Sequence, residues 1–303
     1  MCAETLRQEN YGGRIIMISR DDLLPYDKTR LGKIMNAESD SLLMRRMEFF
    51  HKYDIEVWLK KEGRALSIDT NKKTVTFDDG LIQCYDQILI ATGFIPISNM
   101  CLIYNLLTLV CLFFKMLEER GLTFYMNDAV AEVQGENRRV KSTGSFVPKT
   151  TRQSFFWKLL TLPKSLIMSL YMRTNITDVY CAGDLTSFPL KMAKGQNVSI
   201  GHWQIAQAHG RIAALSMLQR EVELNTVPFY WTVLLGRTIR YAGYGEGYTE
   251  MVLKGKFENV KFLALYLKDD EVVAAAGLNV EPAVSVVAES LAGGRAITKA
   301  EAE

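Results

Sequence analysis

CAETLRQENYGGRIIMISRDD, residues 2–22, decides the fold class. Residues 2–10 read as the end of a helix, and Gly12-Gly13 break it. RIIMIS (14–19) follows as a short apolar run, closed by Asp21 and Asp22. An apolar run bounded by a glycine pair and an acidic pair is the pattern of a strand buried on both faces of a parallel sheet.

Outward from there the pattern continues. After LPYDKTRLGK (24–33) the spacing predicts a helix over 41–51 and a strand over 55–59. Residues 65–70 and 74–77 flank Asn71-Lys72-Lys73 as a β-ribbon, with a turn at Asp78-Asp79-Gly80. QILIA (87–91) is another buried strand, and Thr92-Gly93 follows at once. Helix, strand, ribbon, strand is the order of an α/β dinucleotide-binding domain without its first strand. Such a domain places G-x-G-x-x-G between its first strand and first helix, where backbone N–H groups and the helix N-terminus hold a pyrophosphate. The acidic residue for the ribose comes about 20 residues later. Here the acidic candidates already stand at 21 and 22, so the loop is expected before Met1. Gly243-Tyr-Gly-Glu-Gly247 has the wrong spacing and reads as a turn among C-terminal strands.

Bulk properties exclude several classes. The 303 residues are 48% hydrophobic and 23% charged, which fits a globular protein and not a disordered one. A net charge of +2 does not point to nucleic acid. Five scattered cysteines form no C-x-x-C, and the three histidines form no spaced ligand set, so no metal site is expected. No targeting peptide is visible at the N-terminus. MCLIYNLLTLVCLFF (100–114) is apolar but shorter than the roughly 20 residues that span a bilayer. Membrane contact there stays open beside a buried helix or a segment foreign to the fold. Residues 115–121 read as a helix end and 122–135 as strands around a turn, whereas 141–172 show no clear period.

Order returns with TNITDVYCAGD (174–184), a strand ending in Ala-Gly-Asp, and a helix over about 199–219. On that helix Ile205, Ala208, Ile212 and Leu215 form one apolar face. Its N-terminus carries partial positive charge. Residues 238–242, 250–254, 260–268 and 271–277 look like antiparallel strands, and Pro282 opens a helix facing inward through Val284, Val287, Ala288 and Leu291.

Taken together, residues 2–40, 74–80 with 85–93, 115–136, and nearly everything from 172 onward resemble the mitochondrion-associated, apoptosis-inducing-factor-like flavoproteins of the ferredoxin-reductase-like FAD/NAD(P)H oxidoreductase family. TNITDVYCAGD, GHWQIAQAHGRIAAL (201–215) and VPFYWT with IRYAGYGEG (227–232, 239–247) are specific because they occur in the family's order. The resemblance implies an incomplete two-dinucleotide-domain Rossmann-like fold with a C-terminal α+β interface domain. The implied boundaries are 1–96 and 174–227 for the FAD-binding domain, 97–173 for a disrupted NAD(P)-binding remnant, and 228–303 for the interface domain. It implies hydride transfer from NAD(P)H to FAD, with electrons passed to a Rieske or ferredoxin iron–sulfur partner. It implies that Arg20 and Asp21 contact the adenosine ribose, and Ala65 the adenine. Lys28 and Lys33 match the two basic residues of a PY-x-R-x-x-L-S-K loop, with Lys33 beside the flavin in the catalytic position. Thr92-Gly93 is the implied strand-end motif, Asp184 the acceptor for ribitol-side hydroxyls, and His202, Trp203 and Trp231 the residues facing the isoalloxazine. A mitochondrial or cytoplasmic location and a link to cell death also come only through the resemblance. Residues 94–114 and 141–171 depart from the family, so the expectation is a shortened chain that has lost NAD(P)H binding and binds FAD weakly or not at all. The alternative is a non-enzymatic interaction or membrane-associated fragment.

Overall fold

The computed structural model describes residues 1–30, 38–59, 65–93, 118, 121, 123, 129–136, 139–146, 166–234, 236–256 and 259–303. Contacts divide the chain into one unit of 1–97 with 160–303 and a second of 98–159.

In the larger unit, α1 (Cys2–Gln8) leads into β1 (Ile15–Ser19). The predicted helix over 41–51 is two short ones, α2 (Ser39–Leu42) and α3 (Met47–Lys52). It breaks because Leu43 turns extended and bridges Tyr26, while the Met44 N–H donates to the Pro25 carbonyl. β2 (Ile55–Leu59) pairs parallel with β1 in the register Ile15↔Ile55 to Ser19↔Leu59. The ribbon has three strands, β3 (Ala65–Asp69), β4 (Thr74–Phe77) and β5 (Ile82–Cys84). β6 (Ile88–Ile90) follows.

The 98–159 unit holds the hairpin of β7 (Ala129–Glu136) and β8 (Arg139–Phe146). Residues 141–146 are thus strand, where the sequence shows no period. Alternate positions there are mostly short polar residues, which leaves nothing for periodicity to register. The 100–114 segment and 147–165 lie outside the described residues. Among the described residues no helix is long and apolar enough to cross a membrane.

Back in the larger unit come β9 (Leu166–Ile167), β10 (Val179–Cys181), β11 (Thr186–Leu190) and β12 (Gln196–Val198). The strand expected across 174–181 is only its last three residues. Thr174 bonds through its hydroxyl to the Ile176 and Val179 carbonyls, and this local turn competes with the sheet. β10 pairs parallel with β6. The long helix α4 (Trp203–Met217) packs on two cores at once. Ile205, Ile212 and Ala213 join Cys181 and Phe188, while Ala214 joins Leu6, Ile15 and Ile55. Consecutive small residues at 213 and 214 allow this double approach, and both are 0% exposed.

The last 75 residues form a five-stranded antiparallel sheet in the order β13-β14-β17-β16-β15. These strands are β13 (Phe229–Leu234), β14 (Arg237–Gly243), β15 (Glu250–Lys256), β16 (Lys261–Lys268) and β17 (Glu271–Leu278). β13 is absent from the sequence expectation, although FYWTVL is a short apolar run of the kind read as strand at 14–19. α5 (Ala283–Ala292) buries Val284 and Val287 against the sheet, as the apolar face predicts, and α6 (Lys299–Ala302) closes the chain. The 243–247 glycine cluster is a strand end and turn, with Gly243 at φ +97° and Gly247 at φ +74°.

Candidate functional site: a cleft at the carboxyl ends of β6 and β10

β6 and β10 run side by side with Cys181 opposite Ile90, and the Ala182 N–H donates to the Ile90 carbonyl at 3.0 Å. Ala91-Thr92-Gly93 and Ala182-Gly183-Asp184 therefore leave neighbouring carboxyl ends. Gly93 and Gly183 both take positive φ, +69° and +84°, which turns the chain away from the sheet at little steric cost. The region beyond such ends is where open α/β sheets bind ligands.

The first turns of α4 lie against the second of these turns, since a Cβ on Gly183 would stand 3.7 Å from the Ala206 methyl. His202 caps α4, its Nδ1 accepting from the Gln204 N–H at 3.4 Å. Burial pushes the His202 imidazolium down to a pKa of about 4, so the cap is neutral at physiological pH. Its ring meets Tyr230 edge-on at 4.4 Å. Trp203 and Trp231 meet at 5.6 Å, yet are 42% and 50% exposed. Two exposed tryptophans at a helix N-terminus offer a broad apolar surface beside positive partial charge.

Asp184 is half-buried. Burial raises its carboxyl pKa, and the positive charge of Lys28 acts in the opposite sense. Lys28 itself is exposed and rests its Nζ 5.6 Å over the Tyr26 ring. The electrostatics thus connect Lys28 to Asp184, and packing connects Asp184 to the α4 N-terminus. Thr92 and Gly93 share that end of the sheet.

Arg20, Asp21 and Ala65 form a second group. Arg20 and Asp21 are exposed at the carboxyl end of β1. Ala65 lies opposite Phe77 on the ribbon, and Phe77 meets Trp58 of β2 at 5.9 Å. No hydrogen bond, ion pair or ring contact among the described residues joins this group to the first. Lys33 lies outside the described residues.

His209 and Thr186 escape the sequence reading. His209 is 0% exposed, and its Nδ1 accepts from the Gly183 N–H at 3.2 Å. The signal was present, since His209 falls four residues after Ile205 and three before Ile212 on the buried face of α4. A titratable ring there requires a polar reason. Among the described residues no cluster of side chains suits a metal ion.

FAD has a ring and ribitol half and a pyrophosphate and adenine half, and the site meets them unequally. The Trp203/Trp231 surface, the α4 N-terminus, Lys28 and Asp184 fit the ring and ribitol half. For the pyrophosphate half, the helix before β1 already ends at Gln8, with Asn10 at φ +62°, and Gly12-Gly13 lead into a strand and open no helix, so they form no such cradle.

Residues 229–303 match the family described as reductase C-terminal. The whole chain aligns with apoptosis-inducing factor 3 of mouse and of human, each 33% identical over 383 residues. It spans 63% of those relatives' length. The match is longer than the 303 residues present, so about 80 aligned positions of the relatives have no counterpart in this chain. The benzene 1,2-dioxygenase system ferredoxin–NAD(+) reductase subunit of Pseudomonas putida is 22% identical, over 91% of this chain and 86% of its own. Among solved structures, the covalent putidaredoxin reductase–putidaredoxin complex superposes with a TM-score of 0.77 at 15% identity, covering 96% of this chain and 90% of the other. The ferredoxin reductase for the CYP199A2 system of Rhodopseudomonas palustris also gives 0.77, at 17% identity, covering 99% and 93%. Three of these five relatives are reductases by name, and the reading as a non-enzymatic fragment is not favoured. The chain has the fold of the ferredoxin reductases, its last 75 residues match the reductase C-terminal family, and it is similar to apoptosis-inducing factor 3 along its whole length.

Proposed function

We propose that this chain is part of an oxidoreductase of the FAD/NAD(P)H type, and that it retains the ring-side half of the FAD cradle. The observation that carries this is the convergence of Asp184, the neutral cap His202 and the exposed Trp203/Trp231 pair at the carboxyl ends of β6 and β10. When bound, FAD supplies hydride and single-electron chemistry. The chain's own residues position it. Asp184 accepts hydrogen bonds from ribitol-side hydroxyls. The α4 N-terminus faces the pole of the ring system that gains negative charge, and Lys28 adds a cation nearby. Trp203 and Trp231 cover the ring and exclude water from it. Lys33, Arg20, Asp21 and Ala65 keep their proposed roles toward the ring, ribose and adenine, and the domain division keeps the boundaries implied by the sequence.

Binding is weak in this reading, because half of the cofactor is held by charge and stacking and the pyrophosphate has no described glycine loop. NAD(P)H as donor and an iron–sulfur protein as acceptor belong to the whole oxidoreductase. A mitochondrial or cytoplasmic location comes only through the family resemblance. The test is an FAD titration of the purified chain by flavin fluorescence, followed by gel filtration. Saturable quenching with loss of flavin on the column is expected. Stoichiometric retention would overturn the weak half of the proposal, and no quenching at all would overturn the cradle.

A further inference from the structure

Gly183 is held from both sides. Its carbonyl accepts from the Thr186 N–H at 3.0 Å and from the Thr186 hydroxyl at 2.7 Å. Its N–H donates to His209 Nδ1 at 3.2 Å. Thr186 and His209 are 1% and 0% exposed, and their Oγ1 and Nδ1 lie 3.4 Å apart. Because the single hydroxyl proton is directed to the Gly183 carbonyl, Nδ1 is left to accept from the Gly183 N–H. The ring proton therefore sits on Nε2. Nε2 has no hydrogen-bond partner among the described residues, and Phe188 stands edge-on to the ring at 4.5 Å. A buried donor without a partner costs free energy comparable to a lost hydrogen bond. An aliphatic side chain would fill this apolar site without that cost. What the imidazole adds is one acceptor, aimed at the peptide just before Asp184.

We propose that His209 is a positioning residue: as the Nε2–H tautomer it locks the left-handed turn at Gly183 and so fixes where Asp184 points. The lock needs a neutral ring, and burial pushes the His209 imidazolium down to a pKa of about 4. The further step, that this turn sets FAD affinity, rests on the cradle proposed above.

The experiment uses the full chain without cofactor, as wild type and as the His209→Leu and His209→Asn variants. Asn keeps an acceptor where Nδ1 stands, and Leu does not. Long-range proton–nitrogen NMR of the wild type is expected to show His209 protonated at Nε2 and bare at Nδ1. Amide exchange at Gly183 is expected to rise about tenfold in His209→Leu and to return to within about threefold of wild type in His209→Asn. FAD affinity, where the wild type binds, is expected to follow the same order. A proton on Nδ1 overturns the proposal even if neither variant folds. So does unchanged Gly183 exchange in a folded His209→Leu chain. A wild type that shows the tautomer and the exchange pattern but no FAD binding supports the lock and refutes the cradle.

Discussion

Asp184 is a half-buried carboxylate whose pKa is raised by burial, so its ionised form is paid for in desolvation. A residue of that kind serves a ligand better than it serves the fold. Asp184→Ala is therefore expected to weaken FAD binding by about 10- to 100-fold, the worth of hydrogen bonds to a charged acceptor. Stability should stay level or rise slightly, which a urea titration beside the FAD titration checks. Loss of stability without loss of affinity would place Asp184 among structural residues. His209 gives a pH prediction of definite sign. An unfolded chain takes up its histidine proton near pH 6.5, but the folded site resists until about pH 4. Between those values the unfolded state holds more protons, so stability is full above pH 6.5 and declines as pH falls toward 4. The total loss from this residue is on the order of 3 kcal/mol. His202 is half-buried and shifts in the same direction. Urea midpoints at pH 7.5 and pH 5 should differ more in wild type than in His209→Leu; equal slopes would remove His209 from the account.

Elements differ in how much of themselves the sequence displays. β1, β2, β6 and α4 are legible because short, dense apolar stretches or an unbroken helical face override local competition. The helix predicted over 41–51 is interrupted because Leu43, as apolar as a helical position requires, pairs with Tyr26 across a loop. β10 shrinks to three residues because Thr174 offers the backbone a turn. α6 was missed although its sign was present, since Thr298 and Glu301 form a reciprocal capping box. That box makes a sharp expectation. α6 buries Ala302 at 1% exposure, and the chain just before it pairs with the first residues of β17, the Val272 N–H donating to the Ile297 carbonyl at 2.8 Å. Thr298→Ala should cost the reductase domain about 1 kcal/mol. Hydrogen exchange at Ala302 and Val272 should rise ahead of the rest of the sheet, and uniform exchange across the sheet would argue that the cap is idle.

At the scale of the whole molecule, the proposed function treats the two dinucleotides differently. The candidate site was legible where its residues follow strand ends or open a helix, as Thr92, Gly93, Asp184 and His202 do. Contacts that depend on three-dimensional closure, such as the Gly183 lock, were not. The opposite problem affects NAD(P)H. A nicotinamide dinucleotide needs a glycine-rich turn whose N–H groups reach its pyrophosphate. No glycine occurs between Gly93 and Gly121, where the resemblance expects that turn. The apoptosis-inducing factor 3 match also spans 383 residues against the 303 present, so the shortfall lies inside the aligned region. From these two observations we expect no saturable NADH or NADPH oxidation by the purified chain, even with FAD in excess. Ferricyanide reduction should stay at the rate of free flavin with either nucleotide. Flavin bound to the chain should still be reduced by dithionite, because a chemical reductant needs no nucleotide site. A hyperbolic dependence of rate on NADH, well above the free-flavin control, would mean that the residues between 94 and 173 build a nucleotide site by other means.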